Sequence, residues 1–155
     1  MKYFEDFVVD EIEPIGEYPL SREEIIAYSK RWAPQDFHFD SAAADRSVFA
    51  GLTAAGIHLV TITVRQLVLH KPGVAVLAGL GWDEVRFLTP ARPGDTLTIF
   101  RQCIDRRPSE SKSDRGIVKY RIMLDNQEGE PLLRYIDTQL VRRRPHQFSE
   151  SDKVS

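Results

Sequence analysis

The first third of the chain carries apolar residues at helical spacing. Ser21 and Glu24 occupy the positions of a capping box, and apolar residues follow at intervals of three to four. Pro34 disfavours the α conformation at the residue before it, so this helix is predicted to end near Trp32. A capped helix over residues 22–32 is therefore the first predicted element.

Two further helices are predicted before residue 73. Residues 41–44, Ser-Ala-Ala-Ala, favour a short helix, and residues 51–70 favour a long one that Lys-Pro-Gly at 71–73 ends. The long helix is apolar on most of its sides. A helix of that kind is typically buried in a core, so we expect it at the centre of the domain.

Beyond residue 75 the apolar period changes from 3.6 to 2, which predicts β-strands. Four strands are predicted without intervening helices: residues 76–87, 96–104, 117–124 and 132–141. Gly79 and Gly81 predict bulges or bends in the first of them, and residues 105–115 predict a polar loop. A further strand at residues 12–18 completes the set. Helices followed by consecutive strands predict an α+β fold with an antiparallel sheet wrapped around the long helix.

Composition limits the classes of partner. The chain has 155 residues, a length typical of one domain, and its 21 basic and 23 acidic side chains give a net charge of −2. Nucleic acid binding normally requires a basic surplus, so we expect no nucleic acid partner. No apolar run reaches the ~18 residues of a membrane span, and the N-terminus lacks a signal-peptide pattern. The predicted organisation is one domain at residues 1–144 and a polar tail at residues 145–155 that includes His146.

Cysteine and histidine usage argues against a metal centre. The single cysteine, Cys103, excludes an internal disulfide and favours a reducing, cytoplasmic setting. His38 and His58 lie 20 positions apart, and neither has a carboxylate or third ligand at a matching spacing. We therefore predict no metal ligand, and we interpret His58 as a packed residue of the long helix.

Residues 32–58 carry the pattern that is most informative about chemistry. They read Trp-Ala-Pro-Gln-Asp-Phe-His-Phe-Asp, then a small-residue stretch, then Val-Phe-Ala-Gly-Leu-Thr-Ala-Ala-Gly-Ile-His. A second block at residues 80–97 leads through Arg-Phe into Pro-Gly-Asp. This order of blocks resembles the MaoC-like dehydratases, which are hotdog-fold relatives of the (R)-specific enoyl-CoA hydratases. The resemblance spans roughly residues 14–142.

The resemblance implies a fold, a reaction and an assembly. It implies a single hotdog domain, in which a curved antiparallel sheet wraps around one long central helix. The implied reaction is the reversible hydration of a trans-2-enoyl-CoA to a 3-hydroxyacyl-CoA. It implies no metal or redox cofactor, since the CoA or pantetheine arm belongs to the substrate. Hotdog domains usually pair edge to edge, so we expect a homodimer or a higher homo-oligomer.

The resemblance also implies roles for individual residues. His38 fills the place of the catalytic histidine, and Gly56 offers a backbone amide to the charge that grows on the thioester oxygen. A side chain at residue 56 would block the close approach of the substrate. Gln35 fills the place of an amide that orients substrate or water by hydrogen bonding, although a loop amide satisfied by nearby backbone remains the alternative.

One position departs from the pattern of the family. The catalytic aspartate would lie five residues before His38, where this chain has Ala33. Hydration needs a base for the water and an acid for the α-carbon, so this change affects the chemistry directly. Asp36 is the candidate replacement, because residues two apart in an extended segment point to one side and Asp36 then shares a water with His38. A solvated loop aspartate or a turn-forming side chain is the alternative interpretation of Asp36.

Two other functions remain open on the same fold. A thioesterase would need a nucleophile or base elsewhere, often a carboxylate on the central helix, and residues 52–69 contain none. A non-catalytic acyl-CoA binding domain is favoured by Ala33. Thiol release distinguishes the first of these from a hydratase, and thermal stabilisation by ligand without turnover identifies the second.

Overall fold

The computed structural model describes residues 1–145, so that the predicted tail lies outside the described residues apart from Pro145. Within this part of the chain three α-helices and five β-strands are present, together with short 3₁₀ helices at Phe4–Asp6 and Asp36–His38. In chain order the main elements are β1 (Ile12–Pro19), α1 (Arg22–Trp32), α2 (Ser41–Arg46), α3 (Gly56–Leu69), β2 (Val76–Phe87), β3 (Thr96–Pro108), β4 (Arg115–Asp125) and β5 (Pro131–Arg142).

The five strands form one sheet in the order β1-β3-β4-β5-β2, and every neighbouring pair is antiparallel. Alternate residues of β3, β4 and β5 point inward to the core, as on β4 Val118, Tyr120, Ile122 and Leu124. The sheet packs against α3, so the predicted α+β hotdog architecture is confirmed. The register of β2 on β5 shifts between Gly79 and Gly81, which confirms the predicted irregularity there.

Helix α1 begins and ends as predicted, but only half of its capping box forms. The Ser21 side chain accepts a hydrogen bond from the Glu24 amide at 3.1 Å. The Glu24 carboxylate does not return to the backbone of Ser21. It accepts a hydrogen bond from the Tyr18 hydroxyl instead and lies 3.5 Å from His58 Nε2, because tertiary partners outcompete the local one.

Helix α3 starts at Gly56, so the predicted start at residue 51 is wrong. A helix from residue 51 would need the carbonyls of residues 51, 52 and 53 as acceptors for its own amides. The Arg92 guanidinium binds the carbonyls of Gly51 and Leu52, and His38 binds that of Thr53. These contacts hold the preceding segment in a non-helical conformation and delay the helix by five residues.

The sheet covers one side of α3, so the expectation of burial on most sides is also wrong for the single chain. Five residues of the helix are buried: His58, Leu59, Val60, Ile62 and Thr63. Ile57, Val64 and Val68 are exposed on the other side. None of the helices in residues 1–145 combines the length and apolarity that crossing a membrane would require.

The β3–β4 hairpin is longer than predicted. Strand β3 continues to Pro108 and β4 starts at Arg115, so residues 105–108 and 115 of the predicted loop at 105–115 are strand and the loop is limited to residues 109–114. The paired residues Asp105, Arg106 and Arg107 have polar side chains but make ladder contacts through their backbone. The apolar alternation that predicts a strand is lost where the hairpin extends beyond the core.

Candidate active site

A cavity of about 290 Å³ lies at the N-terminal end of α3. Its walls come from the 3₁₀ helix at Asp36–His38, from the segment that precedes α3 and from the end of β2. The lining residues are Gln35, Phe37, His38, Phe49, Thr53, Ala54, Gly56, Leu59, Phe87, Leu88, Thr89, Pro90 and Ala91. Three of the four residues predicted for the site, Gln35, His38 and Gly56, therefore meet in one cavity.

The His38 imidazole is buried and held in one tautomer. Its Nδ1 lies 2.7 Å from the carbonyl oxygen of Thr53. A carbonyl can only accept, so Nδ1 carries the proton and donates it. In the neutral ring Nε2 then has the free lone pair, which is the arrangement that a general base requires. The structure places the His38 ring in the wall of the cavity.

The Thr53 carbonyl is itself fixed by contacts with the loop before β3. The Thr53 hydroxyl donates to the Ala91 carbonyl at 3.1 Å, and the Ala54 amide donates to the same oxygen at 3.0 Å. Arg92 binds the two carbonyls that precede Thr53. Sequence reasoning missed Thr53 and Arg92 as positioning residues. Arg92 lies in the block at residues 80–97, but no local pattern there indicates its contact with the carbonyls of Gly51 and Leu52.

Two backbone amides at the start of α3 are free. Within residues 1–145 no hydrogen bond is present to the N–H of Gly56 or Ile57, and Ala55 provides no side-chain cap. The carbonyl that the Ile57 amide would normally use belongs to Thr53 and is occupied by His38. Free amides at a helix N-terminus favour negative charge, so they suit an oxyanion that develops in the cavity.

The Phe87 ring lies directly against Gly56. An added Cβ at residue 56 would lie 2.6 Å from ring atoms of Phe87, so that ring would have to shift. Phe87 is 57% exposed and can move away from the backbone. The close approach of substrate that the sequence predicts at residue 56 stays a hypothesis, and in the structure the Phe87 ring occupies that space.

Gly56→Ala is therefore expected to displace the Phe87 ring from the cavity wall. Because that ring is more than half exposed and can move, the change is expected to cost less than about 1 kcal/mol of unfolding free energy. Urea unfolding measures the cost, and Gly73→Ala is the matched control, because an added Cβ there meets its nearest atom at 3.9 Å. A loss of more than about 2 kcal/mol relative to Gly73→Ala, the range of core overpacking, would contradict this account.

Asp36 lies outside the cavity walls. It starts the 3₁₀ helix at Asp36–His38 and is exposed, so the expected extended segment is wrong. Successive residues of a 3₁₀ helix are about 120° apart, which turns residues two apart to different sides. The carbonyl of Asp36 accepts from the amides of Phe39 and Asp40. The catalytic role of Asp36 stays a hypothesis, and none of the cavity-lining residues is a carboxylate.

His58 is packed next to the site. It is almost fully buried, and its ring stacks on Tyr28 with centroids 4.1 Å apart. Burial lowers the pKa of His58, and the nearby Glu24 carboxylate only partly offsets this. The packed-residue interpretation of His58 agrees with these contacts. Within residues 1–145 no group of three or more His, Cys, Asp or Glu side chains is arranged to hold a metal ion.

Comparisons with known proteins agree with this geometry. The profile of the family described as MaoC like domain matches residues 9–124. The solved structure of a MaoC-like dehydratase from Rhodospirillum rubrum is 34% identical and superposes with a TM-score of 0.87, over 94% of this chain and 100% of that one. The (R)-hydratase PhaJ1 of Pseudomonas aeruginosa is 16% identical with a TM-score of 0.73, over 99% of this chain and 95% of that one, which shows the fold alone.

A mesaconyl-CoA hydratase from Haloarcula hispanica is 31% identical over 126 residues. The match takes in 75% of this chain and 34% of that protein, so the chain spans about a third of the length of this relative. The family match covers most of the chain and includes the residues of the cavity. The chain therefore belongs to the MaoC-like domain family.

Proposed function

We propose that this protein hydrates the double bond of a 2-enoyl thioester and dehydrates the 3-hydroxyacyl product in reverse. One observation carries the proposal: His38, with an acceptor nitrogen, and Gly56 line the same cavity, and the amides of Gly56 and the adjacent Ile57 are free. Base and oxyanion donors are the two groups that this reaction needs. The family, and a relative that hydrates a CoA thioester, support the same choice.

In the proposed mechanism the thioester oxygen accepts hydrogen bonds from the amides of Gly56 and Ile57. His38 Nε2 takes a proton from water as the water oxygen bonds to C3, and the C2–C3 double bond shifts its electrons toward the thioester. The enolate that results is stabilised by the two amides. The His38 imidazolium then returns its proton to C2. Because no carboxylate lines the cavity, one imidazole performs both proton transfers, and Gln35 orients the water.

The proposed reaction needs no metal or redox cofactor, since CoA or pantetheine arrives with the substrate. The cavity walls are largely apolar, which suits a hydrocarbon acyl group. The buried free thiol of Cys103 suits a reducing compartment, so the cytoplasm is the proposed location.

A second candidate, acyl-thioester binding without turnover, is favoured by Ala33 and by the absence of a carboxylate among the lining residues. A thioesterase is disfavoured, because α3 carries no acidic side chain that can act as its base.

The test is the loss of enoyl-thioester absorbance when purified protein is mixed with crotonyl-CoA or mesaconyl-CoA. Loss that is saturable in substrate and proportional to protein supports hydration. A raised melting temperature with either thioester but no loss of absorbance would replace the proposal with the binding function. Release of free CoA would replace it with the thioesterase.

Asp36→Asn is expected to leave kcat within about a factor of two, as for other exposed substitutions away from a site. The reason is its exposure outside the cavity walls. Steady-state hydration kinetics at constant pH provide the measurement. A fall of roughly 100-fold or more, typical of a lost acid or base, would instead assign the second proton transfer to Asp36.

We also propose that the chain forms a homodimer through the β2 edge and the exposed side of α3. Strand β2 is an edge strand with exposed Leu80 and Trp82, and α3 exposes Ile57, Val64, Val68 and Leu69. Such edges invite pairing with another chain. Sedimentation at micromolar concentration is expected to give a dimer that Leu80→Lys weakens. Val8→Lys, which changes an exposed apolar residue far from β2, is the control. A wild-type monomer would contradict the proposal.

A further inference from the structure

A second cavity, of about 310 Å³, lies between the C-terminal half of α3 and the sheet. It is lined by Leu67 and Val68 of α3 and by Arg101, Tyr120, Asp137 and Gln139 of β3, β4 and β5. Eleven residues of helix separate Gly56 from Leu67, which is about 16 Å at 1.5 Å per residue. Thr63 and Tyr135 lie at the intermediate level, where both are buried and joined by a hydrogen bond of 2.8 Å. The two cavities are therefore separate.

The sheet side of this cavity carries polar groups at positions that point into the core. Arg101 and Asp137 are 4% and 6% exposed, and Tyr120 is 1% exposed. Tyr120 lies directly opposite Asp137 in the β4–β5 register. The Tyr120 hydroxyl is fully buried and has no hydrogen-bond partner among the described residues. A buried hydroxyl without a partner is costly, so this group lacks an acceptor or donor that a bound ligand can supply.

Arg101 is fixed in place with donors to spare. Its guanidinium lies over the rings of Phe7 and Tyr120, 5.5 and 5.3 Å from their centroids. One Nη2 hydrogen bond, of 2.6 Å, goes to the Glu13 carboxylate. A guanidinium has five N–H donors, and no other hydrogen bond from Arg101 is present in residues 1–145. The remaining donors can bind an anion in the cavity.

The charges around the cavity favour an anion of low charge. Lys2 and Arg101 both contact the single carboxylate of Glu13. Lys71 also lines the cavity. Asp137 is the one carboxylate in its walls, and burial raises the pKa of this group, although its hydrogen bond from Gln139 and the charge of Arg101 oppose the shift. Positive side chains around the cavity therefore outnumber negative ones. The Asp137 carboxylate is the group that repels a bound anion.

Apolar side chains also line the cavity. They are Leu67 at its α3 side, Val74 from the loop after α3, Val76 from β2 and Ile122 from β4, with the exposed Val68 at its rim. The volume lies at the lower end of the range for small-molecule sites, which limits the ligand to a small molecule. An apolar wall opposite a guanidinium suits an amphiphilic acid with a short hydrocarbon body.

We propose that this second cavity binds a small monocarboxylate with a short apolar body, at a site distinct from the His38 cavity. The carboxylate accepts hydrogen bonds from the Arg101 guanidinium and from the Tyr120 hydroxyl. The hydrocarbon body packs against Leu67 and Val74. This site does not depend on the proposed hydratase reaction.

The test is a calorimetric titration of the purified protein with butyrate, and with butyramide as the neutral control of the same shape. Wild type is expected to bind butyrate with a saturable 1:1 isotherm and to bind butyramide at least tenfold more weakly. Tyr120→Phe removes only the hydroxyl without a partner, so the variant is expected to fold and to bind butyrate roughly 10- to 100-fold more weakly. Asp137→Asn removes an opposing negative charge and is expected to bind butyrate at least as tightly as wild type.

His38→Ala locates the binding. Unchanged butyrate affinity in this variant supports a site separate from the first cavity, whereas lost binding would place butyrate beside His38 and overturn the proposal. Equal affinity for butyrate and butyramide, an unaffected Tyr120→Phe variant, or no saturable binding to wild type would each overturn it as well. In the last case the cavity holds only water.

Discussion

His38→Ala is expected to lower kcat for the hydration of crotonyl-CoA by about 100- to 10,000-fold, the range for loss of an acid–base group. Among residues 1–145 His38 is the only imidazole or carboxylate that lines the first cavity, and its Nδ1 hydrogen bond to Thr53 leaves Nε2 as the acceptor. The effect is expected mainly in kcat, because the oxyanion amides of α3 and the apolar walls remain to bind the thioester.

His38→Gln is the matched variant, because its amide can still donate to the Thr53 carbonyl while it provides no base. Both variants are expected to lose turnover. His38→Gln is expected to have a melting temperature closer to that of wild type than His38→Ala has. Steady-state kinetics and thermal unfolding of the three proteins measure both effects. Wild-type kcat in either variant would show that another group transfers the protons.

Glu13→Gln is expected to cost about 3 kcal/mol of unfolding free energy at pH 7. Burial by itself would raise the pKa of Glu13, but hydrogen bonds and charges from Arg101 and Lys2 outweigh it and lower the pKa from 4.5 to about 2. A difference of this size between the folded and unfolded states corresponds to about 3 kcal/mol at 1.36 kcal/mol per unit. The substitution also leaves the buried Arg101 without its carboxylate, which is costly in its own right.

The pH dependence of this effect has a definite sign. Because the folded-state pKa of Glu13 is the lower one, its contribution is fully present above pH 4.5 and is lost as the pH falls toward 2. The stability difference between wild type and Glu13→Gln should therefore shrink over that window. Urea unfolding at a series of pH values measures it, with the exposed Glu17→Gln on the same strand as control. A difference that stays constant from pH 7 to 2 would contradict the ion-pair argument.

Periodicity was sufficient to predict most of the sheet. The bounds of β2 agree with the strand predicted at residues 76–87, and α1 ends where Pro34 requires it. These features depend on neighbours in sequence. The start of α3 depends instead on Arg92, which binds backbone carbonyls about 40 residues earlier, and no local pattern in residues 51–55 reveals that contact.

In the candidate site, too, local features were predictable from the sequence and contacts between distant segments were not. His38, Gln35 and Gly56 were found because a motif places them close together in sequence, whereas Thr53 acts through its backbone carbonyl, which has no sequence signature. Asp36 was selected on the assumption of extended backbone, and the short 3₁₀ helix turns it away. Local conformation over three residues decided its placement.

The sequence carries a signal for the second cavity. Arg101 and Asp137 occupy inward positions of their strands, where apolar residues are the rule. A charged residue at such a position needs a partner, and strand alternation alone identifies both residues. The sequence does not reveal that α3 leaves a space of about 310 Å³ beside them.

The central claim is that the His38 cavity adds water to C3 of an enoyl thioester and leaves the thioester intact. Incubation with crotonyl-CoA in H₂¹⁸O, followed by mass spectrometry of the products, tests it most directly. The predicted product is 3-hydroxybutyryl-CoA that carries one ¹⁸O at the hydroxyl, formed by wild type and not by His38→Ala. Heavy oxygen in a free carboxylic acid with release of CoA, or crotonyl-CoA recovered unlabelled from the wild-type protein, would contradict it.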